Sequence, residues 1–211
     1  MNGQRYIAIE GPIGVGKTTL ARLLAQRLGA ELIRETVEEN PFLASFYKDP
    51  KRFAFQTQLF FLLSRYKHQE ALAQQQLFAG GMIADSLFDK DLIFAQTNLS
   101  DDDLALYQKL YDMLDRNVVR PNLVVYLQAN PETLLERIRT RGHDFERSMS
   151  ESYLKALVHQ YNQYFFHYSK SPLLVVNTTD FDVRHEEDFG HLFHEIVNMR
   201  GGVKYYLPQP A

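Results

Sequence analysis

Eight consecutive residues near the start of the chain have the types and spacing of a loop that binds the phosphates of a nucleoside triphosphate. They match G-x-x-x-x-G-K-[ST] and are Gly11, Pro12, Ile13, Gly14, Val15, Gly16, Lys17 and Thr18. Glycines let such a loop curl so that its backbone N–H groups converge on phosphate oxygens. The lysine ammonium can reach the β- and γ-phosphates, and the threonine hydroxyl can ligate Mg²⁺. The pattern therefore predicts phosphoryl chemistry, provided that a strand precedes the loop and a helix follows it.

The residues on either side of the loop meet that condition. Residues 6–9 form a short apolar run typical of a buried strand, and residues 19–28 place their leucines on one face of a helix. The positive N-terminal end of this helix then points at the phosphates, which adds Thr19 to the predicted nucleotide contacts. We interpret the chain as a protein that uses a nucleoside triphosphate.

Two carboxylates follow further strand candidates. Glu35 follows residues 32–34, and Asp85 follows residues 82–84. Since ligands gather at the carboxyl ends of the strands in open α/β sheets, we expect both carboxylates to lie near the loop. One can take the proton of an acceptor hydroxyl, and Asp85 can join Thr18 in holding Mg²⁺, directly or through water. A helix cap or a surface acid is the alternative, which the matched placement of the two residues disfavours.

Arginines cluster after the fourth strand candidate, residues 123–127. Arg137 and Arg141 are four residues apart and share one face of a helix, with Arg139 between them. Guanidinium groups match phosphate geometry and bind it bidentately. We expect a lid at about residues 137–149 that covers the phosphoryl group during transfer, with a solvated basic face as the alternative.

The elements that must position these groups alternate along the chain. Five apolar runs, the last at residues 173–176, are separated by helical stretches, which predicts an α/β fold with a five-stranded parallel sheet and helices on both faces. Helices are predicted at about residues 51–77, 100–119, 151–168 and 185–199, and another from Pro131. We expect one domain over residues 1–211, ending in an extended tail at about 201–211.

Composition argues against several classes of protein. The net charge of -3 and pI near 6.2 disfavour a nucleic-acid-binding protein, and no apolar run approaches the 18 residues of a membrane span. The chain has no cysteine, so disulfides and thiolate metal sites are excluded, and we expect a cytoplasmic protein. The Asn-Lys-x-Asp motif with which GTPases read guanine is missing from the sequence.

Further segments give the chain a resemblance to a known family. Residues 35–43, residues 46–48 and the stretch 55–65 resemble those of the deoxynucleoside kinases, in particular the bacterial deoxyguanosine and deoxyadenosine kinases. The similarity runs from Tyr6 to about Phe181. It implies a P-loop kinase fold and a homodimeric enzyme that uses ATP and Mg²⁺ to phosphorylate the 5′-hydroxyl of a deoxynucleoside.

The resemblance also implies roles for individual residues. On the acceptor side, Glu35 would be a candidate base that contacts the 5′-hydroxyl, and Tyr47 and Glu146 would bind the 3′-hydroxyl. Gln58 would read the edge of the base, and Phe94 would stack on the base. On the donor side, Arg137 and Arg141 would form the lid, and Thr179, Asp180 and Phe181 would lie against the adenine of ATP. A glutamine suits a base edge because its amide both donates and accepts. Core packing is the alternative for Tyr47 and Phe94.

One departure from the family pattern leaves roles open. The family usually has an acidic residue followed by Arg-Ser after the third strand, whereas Asp85 is followed directly by Ser86. Either Arg65 or a lid arginine replaces the missing arginine near the 5′-hydroxyl, or the chain works without it. The acid that reads the base in relatives matches Asp91 in one alignment and Lys90 in the other. A lysine would donate to a carbonyl such as guanine O6, whereas an aspartate would pair with Arg65 or accept from an amino group, and both options favour a purine.

Two other functions compete with this interpretation. A nucleoside-monophosphate kinase of thymidylate-kinase type shares the loop and the lid, but it needs extra basic residues for the substrate phosphate, and near Glu35 the chain has Glu38 and Glu39. A non-catalytic nucleotide sensor is the second alternative. The intact chemical groups disfavour it: Lys17, Thr18, Glu35 and Asp85.

Overall fold

The computed structural model describes residues 5–35, 39–75, 81–143, 146 and 149–208. Some predicted features lie outside the described residues: Glu38, the end of the helix predicted to reach residue 77, lid residues 144, 145, 147 and 148, and tail residues 209–211.

Six parallel strands of the described chain form one sheet in the order β2-β3-β1-β4-β5-β6. They are β1 (Tyr6–Glu10), β2 (Glu31–Ile33), β3 (Met82–Ala84), β4 (Leu123–Gln128), β5 (Leu173–Asn177) and β6 (Val203–Tyr206). The predicted α/β fold is confirmed, with six strands instead of five. The added strand, β6, lies in the predicted extended tail and pairs in parallel with β5. Three of its four residues are exposed, as suits an edge strand, so it lacks the long buried run that marks the central strands.

Helices cover the sheet. They are α1 (Lys17–Leu28), α2 (Leu43–Lys48), α3 (Pro50–Gln75), α4 (Lys90–Asn98), α5 (Asp101–Asp115), α6 (Pro131–Arg141), α7 (Glu151–Phe166) and α8 (Glu186–Asn198). The predicted helices are present with ends shifted by a few residues. The sequence analysis does not predict α2 and α4, because six and nine residues are too few for a clear helical period.

The core lies on both faces of the sheet because side chains alternate along each strand. Ile7 and Ile9 of β1 belong to the cluster that includes α1 residues such as Leu20. Tyr6 and Ala8 belong to the opposite cluster, which includes α7 residues such as Tyr161. Each large apolar side chain buried in this way contributes roughly 1.5–3 kcal/mol relative to exposure. The sheet is therefore packed on both faces, and the loops and helices that follow its strands carry the site.

None of the described helices combines the length and the apolar character that a membrane-spanning segment needs.

Candidate active site

The phosphate-binding loop joins β1 to α1, as predicted. Gly14 has a φ of 84°, a conformation that residues with a Cβ rarely adopt. A Cβ there would lie 2.8 Å from the Ile138 side chain and 2.9 Å from the Leu134 carbonyl oxygen, so the loop packs directly on α6. A Cβ on Gly11 would lie 2.4 Å from the Leu127 carbonyl oxygen. The two glycines allow the loop to sit tightly between β4 and α6.

Lys17 crosses the loop. Its ammonium donates to the carbonyl oxygens of Gly11 at 2.6 Å and Pro12 at 3.1 Å. Burial lowers the pKa of Lys17 to about 8, and the positive charge of Lys90 acts in the same direction. The lysine is therefore held where phosphate oxygens would meet the loop.

Asp85 ties the loop to β2. Its Oδ2 accepts from the Thr18 hydroxyl at 2.9 Å, and its Oδ1 accepts from the backbone N–H of Glu35 at 2.8 Å. The residue is only 4% exposed. The hydroxyl and carboxylate oxygens of Thr18 and Asp85 are hard ligands of the kind that Mg²⁺ prefers. The described residues hold no cluster of three or more acidic, histidine or cysteine side chains, so a cation here would take further ligands from phosphates and water.

Four charged side chains lie beyond Lys17, and we call them the front cluster: Glu35, Arg65, Lys90 and Asp91. One oxygen of Glu35 accepts from Arg65 and the other accepts from Lys90. Arg65 also pairs with Asp91. Their side chains are between 2% and 13% exposed. The structure thus separates the two residues that the sequence alignment left open, because Asp91 faces Arg65 and Lys90 faces Glu35.

Burial and charge pairing shift the pKa values of three groups in the front cluster. Burial raises the pKa of Glu35, but Lys90 and Arg65 outweigh burial and lower it to about 2. Burial raises the pKa of Asp91 to about 6, although the guanidinium of Arg65 opposes the rise. Burial alone would lower the pKa of Arg65, yet its two carboxylate partners raise it above the ordinary value. Two negative and two positive charges therefore balance inside the cluster.

A cavity of about 1180 Å³ joins the loop to the front cluster. Loop residues 13–19 and the four residues of the front cluster line the same cavity, together with Tyr47, Gln58 and Phe94. Gln58 is buried on α3, and its Oε1 has no hydrogen-bond partner among the described residues. Because pockets for one small ligand have volumes of about 300–1,000 Å³, this cavity is large enough for two ligands side by side.

Two of the three predicted lid arginines line the cavity. Arg137 donates to the Thr178 carbonyl oxygen at 2.7 Å and to its hydroxyl at 3.2 Å, which ties α6 to the end of β5. Arg141 pairs with Glu146. Arg139 points elsewhere because it is two residues from each of them on the helix, and it lines a separate surface depression with Glu132 and others. Arg139 therefore does not line the cavity in this structure, and its contact with the nucleotide stays a prediction.

The remaining predicted site residues also line the cavity. Tyr47 and Glu146 lie near Arg141, and burial raises the pKa of the Tyr47 hydroxyl above its ordinary value. The Oε2 of Glu146 is buried without a hydrogen-bond partner among the described residues. At the loop end, Thr179, Asp180 and Phe181 complete the wall.

Sequence analysis misses Glu10, the last residue of β1. It is 0% exposed, and its carboxylate accepts from the backbone N–H groups of Gly11 at 2.8 Å and Leu87 at 2.7 Å and from the Tyr161 hydroxyl at 3.0 Å. Glu10 thus ties the start of the loop to the segment after β3. The available signal was a carboxylate at the end of an apolar strand, directly before the loop.

This fold and site define a phosphate-loop kinase. A strand and a helix flank the loop, an acid on a neighbouring strand binds its threonine, and arginines of α6 close the cavity.

The chain belongs to the deoxynucleoside kinase family. The family model described as deoxynucleoside kinase matches residues 7–199. The protein is therefore a kinase, an enzyme of the transferase class.

Relatives and solved structures agree with this assignment. A deoxyguanosine kinase of Bacillus subtilis is 44% identical over 162 residues, which is 76% of this chain and 78% of that protein. A deoxyadenosine kinase of Dictyostelium discoideum is 37% identical over 182 residues, covering 83% and 73%. The structure of a deoxyadenosine kinase from M. mycoides with bound dATP has a TM-score of 0.82 at 26% identity and covers 92% of this chain and 100% of that one.

Proposed function

We propose that the protein transfers the γ-phosphoryl group of ATP to the 5′-hydroxyl of a purine deoxynucleoside, giving the 5′-monophosphate and ADP. The observation that carries this proposal is the shared cavity, which is lined by the phosphate loop, by the buried amide of Gln58 and by the carboxylates of Glu35 and Asp85. We take the loop as the donor end and Gln58 as the acceptor end, so that two bound substrates would meet at the carboxylates.

The donor end suits ATP. The loop N–H groups and Lys17 bind the phosphates, Arg137 and Arg141 lie over the group in transfer, and Thr179–Phe181 form the wall for adenine. Thr18 and Asp85 would hold Mg²⁺, which when bound neutralises phosphate charge.

Glu35 is our first choice for the base, with Asp85 second. The hydroxyl oxygen forms its bond to the γ-phosphorus as the bond from that phosphorus to the leaving ADP oxygen breaks, and the hydroxyl proton passes to the carboxylate. One oxygen of Asp85 accepts a hydrogen bond from the backbone of Glu35, and the other accepts one from Thr18. Both oxygens of Glu35 instead accept from long side chains, which can reorient and free the carboxylate to take the proton.

The acceptor end suits a nucleoside. Tyr47 and Glu146 would bind the 3′-hydroxyl, Phe94 would stack on the base, and Gln58 would pair with its edge. Asp91 Oδ2 is buried and has no hydrogen-bond partner among the described residues. It offers an acceptor for an amino or imino group of a purine, next to the donors of Arg65.

A nucleoside fits this end better than a nucleoside monophosphate. The two cations of the front cluster, Arg65 and Lys90, are already neutralised by Glu35 and Asp91. A substrate phosphate placed there would have to compete with those carboxylates.

We also propose a homodimer, with α3 and α5 as the contact surface. Three apolar side chains on these helices are 49–66% exposed: Leu63, Leu106 and Met113. Light scattering in solution checks the mass, and a monomer would contradict this assignment.

An acceptor panel tests the proposed reaction. The four deoxynucleosides and deoxyguanosine monophosphate are each supplied with ATP and Mg²⁺, and ADP release is measured. We expect the highest kcat/KM with deoxyguanosine or deoxyadenosine. A preferred pyrimidine would overturn the purine assignment, a preferred monophosphate would overturn the acceptor class, and no release with any acceptor would overturn the proposal.

A further inference from the structure

Lys90 lies where the acceptor and the donor phosphate would meet. It is the first residue of α4, and its side chain is only 12% exposed. Its ammonium donates to Glu35 Oε2 and lies 5.5 Å from the centre of the Phe94 ring. Among the described residues, Glu35 is the only carboxylate within ion-pair distance of Lys90.

The two cations on Glu35 are held very differently. Arg65 spans two carboxylates, Glu35 and Asp91, with a planar guanidinium whose donors point in fixed directions. Lys90 has one carboxylate and a compact charge on a flexible four-carbon stem. Of the two, Lys90 is the cation that can leave Glu35 without breaking a second ion pair.

A second lysine lines the same cavity. Lys17 enters it from the loop, and Lys90 lines it beside Glu35. Two ammonium groups that share a partly buried cavity repel each other. An anionic phosphoryl group between them would remove that repulsion and give each lysine a partner.

We propose that Lys90 moves from Glu35 to an oxygen of the phosphoryl group during transfer, so that Glu35 is released to take the hydroxyl proton as negative charge develops. This inference rests on the proposed function. Lys90 keeps its three protons throughout, and only its hydrogen-bond acceptor changes. Lys90, five residues after Asp85, would then supply the positive charge that the missing family arginine would have placed near the 5′-hydroxyl.

The residue before Lys90 holds the start of α4 in place. The preceding residue, Asp89, is 1% exposed and is bonded to Tyr111, Tyr164 and Lys170 on the side away from the cavity. The start of α4 is thus anchored from behind, while the side chain of Lys90 lines the cavity.

Lys90→Met and Lys90→Arg test the proposal, with Lys155→Met on the exposed face of α7 as the matched control. We expect Lys90→Met to lower kcat by about 100-fold or more, as for removal of a group that stabilises transition-state charge, and to change the KM for the deoxynucleoside by less than about threefold. Lys90→Arg keeps the charge and should recover at least about tenfold of that loss. Lys155→Met should match the wild type.

A double variant provides a second readout that a purely structural role would not change. In the double variant with Glu35→Gln, the losses in kcat should be less than additive because the two residues act in one step.

Every result of these measurements supports or overturns the proposed role of Lys90. A Lys90→Met enzyme with kcat within about threefold of the wild type would overturn the inference and leave the kinase proposal intact. Losses that add fully with Glu35→Gln would also overturn it. If Lys90→Met does not fold, Lys90→Gln and Lys90→Arg carry the same comparison. A wild type that phosphorylates no nucleoside would instead refute the proposed function.

Discussion

Three consecutive residues at the start of α4 belong to two charge clusters that differ in what they face. Lys90 and Asp91 belong to the front cluster in the cavity. Asp89 belongs to a rear cluster on the other side of the helix start, which consists of Asp89, Tyr111, Asp115, Arg120, Tyr164 and Lys170. Both clusters are rich in buried charge and contain hydrogen-bonded carboxylates.

The polar groups of the rear cluster are hydrogen-bonded to one another. Asp89 accepts from Tyr111 at 3.1 Å, from Lys170 at 2.5 Å and from Tyr164, and Arg120 donates to Asp115 at 2.5 Å. None of its residues lines the main cavity, and none of its buried polar atoms lacks a partner. Such a network specifies how α4, α5 and α7 pack together.

The front cluster leaves capacity unused. Asp91 Oδ2 has no hydrogen-bond partner among the described residues, and neither has the neighbouring Gln58 Oε1. All four of its side chains line the cavity. Buried charge alone therefore does not mark a functional site in this fold. Incomplete hydrogen bonding beside a cavity does.

The largest expected effect comes from the front cluster. Glu35→Gln should lower kcat about 10²–10⁴-fold, because an amide cannot take the hydroxyl proton. Steady-state kinetics of Glu35→Gln and Asp85→Asn, assayed separately, distinguish the two candidate bases. If only Asp85→Asn has the large effect, the base is Asp85, and if neither lowers turnover by about 100-fold, the carboxylate assignment is wrong.

Breaking the rear cluster should affect stability more than chemistry. Asp89→Ala removes the shared partner of two cations and two tyrosines, and loss of one partner of a buried ion pair costs about 3–5 kcal/mol. Since the side chains of Arg120 and Lys170 are 34% and 35% exposed and keep Asp115, we expect a loss of about 2–4 kcal/mol in the free energy of unfolding. Urea denaturation measures it.

An exposed acid is the control for that experiment. Glu187→Ala on α8 should change the free energy of unfolding by less than about 0.5 kcal/mol. If Asp89→Ala unfolds like the wild type and yet loses activity, the proposed division between the two clusters fails.

The smallest effect is a pH limb that should come from Lys17, next to the front cluster, and not from the rear cluster. Lys17 has a pKa of about 8, lowered by burial and by Lys90, so it loses its charge as the pH rises above that value. We expect kcat/KM for ATP to fall by about tenfold per pH unit above pH 8, because the neutral amine binds phosphate poorly. Tyr111→Phe in the rear cluster should leave the limb in place. A profile that stays flat to pH 10 would contradict the assignment.

Local patterns predicted much of this protein. The phosphate loop was recognisable because its spacing reflects contacts within eight residues, and the central strands because they are apolar runs between turn signals. The short helices α2 and α4 and the edge strand β6 escaped prediction because they are stabilised by packing and pairing with distant elements, not by a period of their own.

The phosphate loop, the α/β fold and the acids at the strand ends near the loop could be predicted from sequence, since each depends on residues close together in the chain. The partners of Lys90 and Asp91, the position of Arg139 outside the cavity and the burial of Glu10 became known from the three-dimensional arrangement. These features depend on where α3, α4 and α6 lie relative to the sheet. The partner of a charged side chain is set by distances in space, and the order of neighbouring residues such as 90 and 91 does not show those distances.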